Sequence, residues 1–147
     1  MTLMGRLGIL VFLLFLGCNG PLLLLPGGKL DGSGESAPMN WSMAGDTGTV
    51  QLETDPEDPY SVNVAYTVLD GELYINAGDT ETQWVKNIAA DPQVRLRLKG
   101  HLYDVRAVRV SDPTEIARFG HAWTNQSMFR RDPVTLDQLW LYRLVAR

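Results

Sequence analysis

A ribbon of positive charge is expected on two neighbouring strands in the second half of the sequence. Arg95, Arg97 and Lys99 alternate with apolar residues and therefore share one strand face, and Arg106 and Arg109 lie on the return strand. Guanidinium groups bind phosphates and carboxylates bidentately, so such a ribbon could hold an anionic ligand. The alternative is a solvated face whose cations pair with carboxylates such as Glu53 or Asp104.

Trp84 and Asn87 lie three residues apart on a predicted helix, where side chains at that spacing are neighbours. Together they could form one wall of a pocket and hydrogen-bond a ring system. Alternatively, Trp84 belongs to the core and Asn87 caps local backbone. The same two interpretations, pocket or core, apply to the large aromatic residues near the end of the chain: Trp123, Phe129, Trp140 and Tyr142.

The two histidines do not predict a metal site. His101 and His121 are twenty residues apart and lack the short paired spacing of metal ligands. The sequence also contains no Ser-His-Asp arrangement and no glycine-rich nucleotide loop. We therefore predict no metal, and the catalytic residues are unknown at this stage.

The first 17 residues are typical of a secretory signal peptide. Arg6 precedes an uncharged apolar run from Leu7 to Leu16. Ten helical residues extend only ~15 Å, about half of a bilayer core, which disfavours a membrane span. The Gly17-Cys18 junction resembles a bacterial lipoprotein signal, which implies lipidation at Cys18. The alternative is an ordinary signal peptide followed by an incidental cysteine.

Asn19, next to Cys18, bears on the destination of the exported protein. It differs from the aspartate that retains lipoproteins at the inner membrane, so the resemblance favours the outer membrane. We expect a protein anchored in the cell envelope on its periplasmic side. Several acyl chains would hold it firmly, since each buried methylene contributes ~0.8 kcal/mol.

The charge of the chain is unevenly distributed. Its formal net charge is −4, which argues against nucleic-acid binding. From Asp31 to Asp91 there are 12 acidic residues and a single basic one, Lys86. An anion site is therefore expected in the second half of the chain.

The residues from 18 to 46 are predicted to be a lipid anchor and flexible tether, because glycine and proline are frequent there. Residues 47–147 are predicted to form one domain of six strands and two short helices in the order β, β-β, α, β-β, α, β. Such short strands at hairpin spacing are typical of a small closed or half-open barrel. The strands are expected at 49–54, 60–69, 72–77, 94–99, 102–110 and 139–145, and the helices at 80–90 and 112–124.

Local signals mark several of these boundaries. Asp70-Gly71 favours a two-residue hairpin, and Gly100-His101 is expected to turn the chain. The segment 80–83 has the spacing of a capping box, and Asp112-Pro113 is a helix start. The alternation of the fifth strand slips near Ala107-Val108, which predicts a β-bulge.

The pattern Trp84-x-x-Asn87-Ile88-x-x-Asp91-Pro92-x-Val94 resembles the helix-to-strand segment of the split-barrel flavoproteins. These include the pyridoxamine-phosphate oxidase-like proteins and the deazaflavin-dependent nitroreductases. The preceding hairpin, 59–74, and the last strand, 140–144, are also similar to that family. The resemblance implies a mainly β fold, a six-stranded split barrel, with two short helices.

The same resemblance implies a homodimer with FMN or a related flavin in a groove at the interface. Basic side chains and backbone amides would hold the cofactor phosphate. The candidate cofactor-binding residues in this sequence are Trp84, Asn87, Arg95, Arg97 and Arg106.

One loop departs from the family pattern. Deazaflavin enzymes grip phosphate with a turn rich in glycine, basic residues and serine, whereas residues 55–59 here read Asp-Pro-Glu-Asp-Pro. Three carboxylates would repel a phosphate. Two hypotheses follow, namely an exported lipoprotein that is an FMN- or deazaflavin-linked oxidoreductase, or a non-enzymatic envelope lipoprotein that binds a ligand or a partner protein.

Overall fold

The computed structural model describes residues 19–78, 81–133 and 140–147. The predicted signal peptide and the predicted lipidation site, Cys18, lie outside the described residues. Thr80, the first residue of the predicted capping box, also lies outside them. The helix there has Thr82 at its N-cap and begins at Gln83.

Seven strands and two α-helices are described. Strands β2 to β7 form a closed antiparallel barrel in the order β6-β5-β2-β3-β4-β7, with β7 pairing back on β6, and β1 adds to β6 in parallel. The prediction of a mainly β, six-stranded barrel with two helices is confirmed. The elements are β1 (Glu35–Ser36), β2 (Thr47–Thr54), β3 (Tyr60–Leu69), β4 (Glu72–Ala77), α1 (Gln83–Ala90), β5 (Gln93–Leu98), β6 (His101–Arg109), α2 (Pro113–Asn125) and β7 (Trp140–Ala146).

Two tight hairpins set the register of the barrel. Asp70 and Gly71 have φ angles of 52° and 79°, and Lys99 and Gly100 have φ angles of 50° and 84°. Positive φ at both central residues is the signature of a type I′ turn, whose twist matches that of the flanking strands. The first hairpin lies where it was predicted, whereas the second turn is one residue earlier than Gly100-His101.

The barrel interior is filled by alternate residues of the strands and closed at its ends by other segments. Trp84, Val85 and Ile88 of α1 join the core at one end. At the other end Trp41 is buried, its backbone N–H donates to Gly71 O, and its ring meets Tyr103 edge-on at 5.2 Å. Both barrel ends are therefore closed by apolar side chains, and the core is continuous.

Helix α2 packs on the outside of β4 and β7. Phe119 contacts Tyr74 at 5.8 Å between ring centroids, and Leu141 is buried in the same cluster. The Asp112 side chain accepts hydrogen bonds from the backbone N–H groups of Thr114 and Glu115, so the predicted N-cap is confirmed. This helix explains why β4 and β7 are apolar on both faces.

The segment predicted to be a flexible tether contacts the barrel along much of its length. Gly27 exchanges two backbone hydrogen bonds with Ser61, each 2.8 Å long. Leu30 is 1 % exposed, and β1 pairs with Tyr103 and Asp104 of β6. We call residues 27–36 the strap. It follows the outer face of the barrel, so ordered structure begins well before residue 47.

The predicted bulge in β6 is wrong. The register of β6 against β7 is regular from Val105 to Arg109. Ala107 faces the core and Val108 is half-buried on the outer face, opposite Arg143. Apolar residues therefore occur on both faces, and this disturbs the sequence alternation without altering the pairing.

Across the described residues, no helix is long and apolar enough to cross a membrane.

Candidate functional site

Three strand ends meet at the end of the barrel closed by α1, which we call the helical rim. Ala77, the last residue of β4, pairs with Trp140, the first residue of β7. Arg109, the last residue of β6, pairs with Tyr142. The register therefore brings Arg109, Trp140 and Tyr142 together although more than thirty residues separate the first two in sequence.

A cation lies on an aromatic ring at this rim. The Arg109 guanidinium carbon is 3.4 Å from the centroid of the Trp140 ring, within the range of a cation–π contact. Such stacking fixes the guanidinium plane while its N–H groups can still donate to an anion or carbonyl. Trp140 is only partly buried, so the pair lies at the edge of the core.

Tyr142, two residues after Trp140 on the same face of β7, carries a buried hydroxyl. Tyr142 is 2 % exposed, and its hydroxyl has no hydrogen-bond partner among the residues that the structure describes. Burial raises the pKa of Tyr142, although the positive charge of Arg109 acts in the opposite direction. The hydroxyl therefore stays protonated at neutral pH and can donate a hydrogen bond. A buried donor without a partner is costly in a native fold, and a ligand is one explanation for it.

Trp84 adds a second aromatic wall to the rim. Its ring centroid is 6.0 Å from that of Tyr142, with 59° between the ring planes. It is 7 % exposed, so most of its surface packs in the core. Trp84 is therefore a core residue, as one interpretation of the sequence had it, and it also borders the helical rim.

Asn87 ties α1 to the end of β2. Its amide nitrogen donates to Thr54 Oγ1 at 2.9 Å, and its amide oxygen accepts from Gln83 Nε2 at 2.7 Å. Both polar atoms of the side chain are therefore engaged within the protein. Asn87 positions the helix that carries Trp84.

Arg95 lies on the outer face of the barrel, away from Trp84. It forms a two-point ion pair with Glu53, with distances of 2.7 and 2.6 Å. Its remaining donors reach the strap at Leu30 O, 2.8 Å, and Gly32 O, 3.2 Å. The hydrogen bonds to Glu53 raise the pKa of Arg95. The pairing with Glu53 that the sequence left open as an alternative is what the structure contains.

The other two predicted arginines also lie outside the helical rim. Arg97 donates to the backbone oxygen of Asp31 in the strap. Arg106 is exposed on β6, opposite Gln93 in register. The structure thus divides the five predicted cofactor-binding residues into Trp84 and Asn87 at the end of the barrel and three arginines on its outside.

A cavity of about 270 Å³ lies beside Arg95. This volume is below the usual range of small-molecule sites, which begins at roughly 300 Å³. Its charged lining residues are Lys29, Glu53, Arg95, Asp104 and Arg147. Glu53 pairs with Arg95, and Arg147 contacts Asp104 at 3.3 Å. These contacts use most of the charge inside the cavity, so it is a weaker candidate than the rim.

The residues of the helical rim were only partly found from the sequence. Trp140 and Tyr142 were considered for a pocket, and Arg109 was assigned to the charged ribbon, but nothing linked the three. The missing information was the pairing of β6 with β7, which closes the barrel.

In the part of the chain that the structure describes, no three metal-ligating side chains are grouped.

The chemistry of the rim suits a flat, hydrogen-bonding ring better than a phosphate. Aromatic faces and a stacked guanidinium contact planar systems, and the Tyr142 hydroxyl offers a donor. The acidic loop 55–59 follows β2, whose last residue Thr54 contacts α1 through Asn87. The ring-binding part of a flavin-type cofactor therefore fits this end of the barrel, whereas the loop supplies no cation for a phosphate.

Comparison with known proteins identifies the family of the chain. A family model described as F420H(2)-dependent quinone reductase matches residues 59–133. The chain belongs to this family. The matched residues of this quinone reductase family run from β3 to the segment after α2 and include Trp84, Asn87 and Arg109. A search of curated proteins finds no match to the chain.

Solved structures share the fold of this family member. A conserved hypothetical protein from Mycobacterium tuberculosis is 21% identical, with a TM-score of 0.55, covering 73% of this chain and 76% of that one. A putative pyridoxamine 5'-phosphate oxidase from Listeria innocua is 16% identical, with a TM-score of 0.54 and coverage of 67% and 83%.

A third structure is described as an F420 reductase and is 17% identical, with a TM-score of 0.52 and coverage of 76% and 95%. A protein from Mesorhizobium loti with a TM-score of 0.52 is described as FAD-binding; it is 18% identical, with coverage of 73% and 83%. The resemblance to split-barrel flavin- and deazaflavin-binding proteins that the sequence predicted is confirmed.

Proposed function

We propose that the protein is an oxidoreductase that binds a deazaflavin, or the related FMN, with the ring system at the helical rim. The observation that carries this proposal is the Arg109–Trp140 stack, 3.4 Å apart, at a rim where Tyr142, paired with Arg109 in register, has a buried hydroxyl without a described partner. The family description supports a reduced deazaflavin as electron donor and a quinone as acceptor. When bound, the reduced cofactor supplies a hydride, and a quinone that takes it up with a proton leaves as the quinol.

The residues of this chain would bind and orient the ring. Arg109 is held by Trp140 and presents planar N–H donors to an oxygen or anionic edge. The Tyr142 hydroxyl would donate a hydrogen bond to the ring, and burial, which raises its pKa, keeps it protonated. Trp84 and the α1 residues packed with it exclude water from the inner side of the site, which strengthens these polar contacts.

The acidic loop supports a second candidate function. With three carboxylates at 55–59 and Arg95 paired with Glu53, the usual grip on a phosphate is not available in this part of the chain. The alternative is a non-enzymatic lipoprotein of the cell envelope that binds a neutral ligand or a partner protein. The two proposals differ in whether a flavin-type cofactor binds at all.

We also propose the location and assembly that the sequence suggested. The protein is exported, anchored through lipid at Cys18 on the periplasmic side of the envelope, preferentially at the outer membrane, and forms a homodimer. Incorporation of a fatty-acid label into the wild type but not into Cys18→Ala tests the anchor. Equal labelling of both proteins contradicts it. Native mass spectrometry in detergent tests the dimer.

A cofactor titration tests the redox proposal. The full-length chain in detergent is titrated with oxidised deazaflavin, FMN and FAD, and binding is followed by cofactor fluorescence and anisotropy. We expect one of the first two to bind, and Arg109→Ala to weaken that binding at least about tenfold, which corresponds to ~1.4 kcal/mol. Arg109→Lys retains the charge but not the planar guanidinium, so its cofactor affinity should lie between those of the wild type and Arg109→Ala.

Arg118→Ala is the matched control for this titration. Arg118 is an exposed arginine that pairs with Asp70 at the other end of the barrel, so its loss should not change cofactor affinity. Arg106→Ala tests the candidate proposed from the sequence on the same strand as Arg109. If none of the three cofactors binds the wild-type chain, the redox proposal fails and the non-enzymatic alternative is favoured.

A further inference from the structure

Four consecutive leucines form an exposed turn at the start of the described chain. Leu22 and Leu25 exchange two backbone hydrogen bonds, 3.1 and 2.8 Å long. Between them, Leu23 and Leu24 are 81% and 98% exposed. Single exposed leucines are ordinary on protein surfaces, but a contiguous apolar tip marks a site of interaction.

This turn is fixed to the barrel. The Asn63 side-chain amide on β3 donates to Leu23 O at 2.9 Å and to Pro21 O at 3.4 Å. The Gly27 bridge to Ser61 holds the chain just after the turn. The leucines are therefore presented by a defined backbone on the outer face of β3.

A second apolar loop is held near the same strand by the residue that precedes it. Met128 and Phe129 are each 89% exposed. They follow Gln126, whose amide contacts Thr67 Oγ1 on β3 at 3.4 Å. Asn63 and Thr67 are four residues apart, so both project outward, ~14 Å from each other along the strand. We call Leu22–Leu25 together with Met128 and Phe129 the apolar face.

The chain that precedes the turn indicates what covers this face. Only residues 19–21 separate it from Cys18, the predicted lipid attachment point, and Asn19 O accepts a hydrogen bond from Gly28 N–H at 2.8 Å, so residue 19 lies beside the chain that follows the turn. An anchor at Cys18 would therefore hold the turn at the bilayer surface. Arg131 is exposed beside the second loop, and Arg130 stacks on Trp123 at 3.7 Å. Basic residues next to apolar ones suit the interface of an anionic membrane.

We propose that the apolar face docks on an anionic lipid bilayer, with the leucine turn inserted among the headgroups and acyl chains. This inference concerns an interaction surface and goes beyond the proposed redox function. It sets the orientation of the barrel, because β3 would face the membrane. The strap and the α1 end of the barrel would then be fixed relative to the lipid surface.

Fluorescence quenching by spin-labelled lipids tests the proposal. The full-length chain with Cys18→Ser, which contains no other cysteine, receives Leu24→Cys and an environment-sensitive label. Vesicles contain phosphatidylcholine with phosphatidylglycerol and a lipid that carries a nitroxide on its acyl chain. We expect blue-shifted emission and several-fold stronger quenching at position 24 than at Met39→Cys. Met39 is a fully exposed apolar residue outside the apolar face.

The second loop is tested in the same background with Phe129→Cys. Quenching there should increase when phosphatidylglycerol is included and decrease when Arg130 and Arg131 are changed to glutamine. Equal, weak quenching at positions 24 and 39 overturns the proposal. An emission shift at position 24 that occurs without vesicles and grows with protein concentration also overturns it, because the face is then a contact between copies.

Discussion

Replacing Arg95 with methionine should destabilise the fold without affecting cofactor binding. Arg95 and Glu53 have side chains only 14% and 6% exposed, and Arg95 makes four hydrogen bonds to Glu53 and the strap. Breaking a buried pair leaves an uncompensated charge, which costs ~3–5 kcal/mol. We expect the free energy of unfolding to fall by about 3 kcal/mol, near the lower end of this range, because the pair is partly exposed to solvent.

Urea unfolding followed by tryptophan fluorescence measures this loss. The double variant Glu53→Leu/Arg95→Met removes both charges and should lose much less than Arg95→Met alone, since no unpaired carboxylate remains. The control, Arg118→Ala, breaks an exposed pair and should cost less than about 1 kcal/mol.

Hydrogen exchange locates the effect. The Leu30 amide donates to Glu53 Oε2 at 2.5 Å and should be protected in the wild type. In Arg95→Met its protection should fall together with that of the strap. If Arg95→Met lowers the free energy of unfolding no more than Arg118→Ala does, and the Leu30 amide stays protected, then the Glu53–Arg95 pair does not hold the strap on the barrel.

Four further predictions concern the tyrosines and the helix cap. Tyr142→Phe removes a buried hydroxyl without a described partner, so the free energy of unfolding should stay constant or rise by up to about 1 kcal/mol, while cofactor affinity in the titration falls. Tyr74→Phe removes a hydroxyl whose single proton is shared between the Glu72 and Glu115 carboxylates, and should cost ~1.5–3 kcal/mol in urea unfolding. Burial raises the pKa of Tyr74 above its usual 10.0, so stability should fall as pH rises above that value, and a pH series should show a smaller fall in Tyr74→Phe. Asp112→Ala removes the α2 cap and should cost ~1 kcal/mol, measured by thermal and urea unfolding.

Local chemistry made most elements predictable. Asp70-Gly71 supplies the positive φ angles of its hairpin, and Asp112 supplies the acceptors of the α2 N-terminus. Both signals depend only on neighbours within a few residues. The strand bounds agree to within about two residues for the same reason, because alternation is a property of the local sequence.

Contacts between distant residues were not predictable in the same way. Glu53 and Arg95 are 42 residues apart, and the glycine-rich composition of the strap hides how firmly Leu30 is buried. The pairing of β6 with β7 likewise determines that Arg109 meets Trp140. Residue types suggested where charge and aromatic surface lay, but the register decided which of them share a site.

Hydrogen–deuterium exchange with and without bound cofactor tests whether the ring binds at the helical rim, since it locates the cofactor on the folded chain. For binding at the rim we expect added protection at the end of β6, around Arg109, and at the start of β7, around Tyr142, with little change in the strap. Protection confined to Lys29, loop 55–59 and the start of β5, around the cavity beside Arg95, would contradict it.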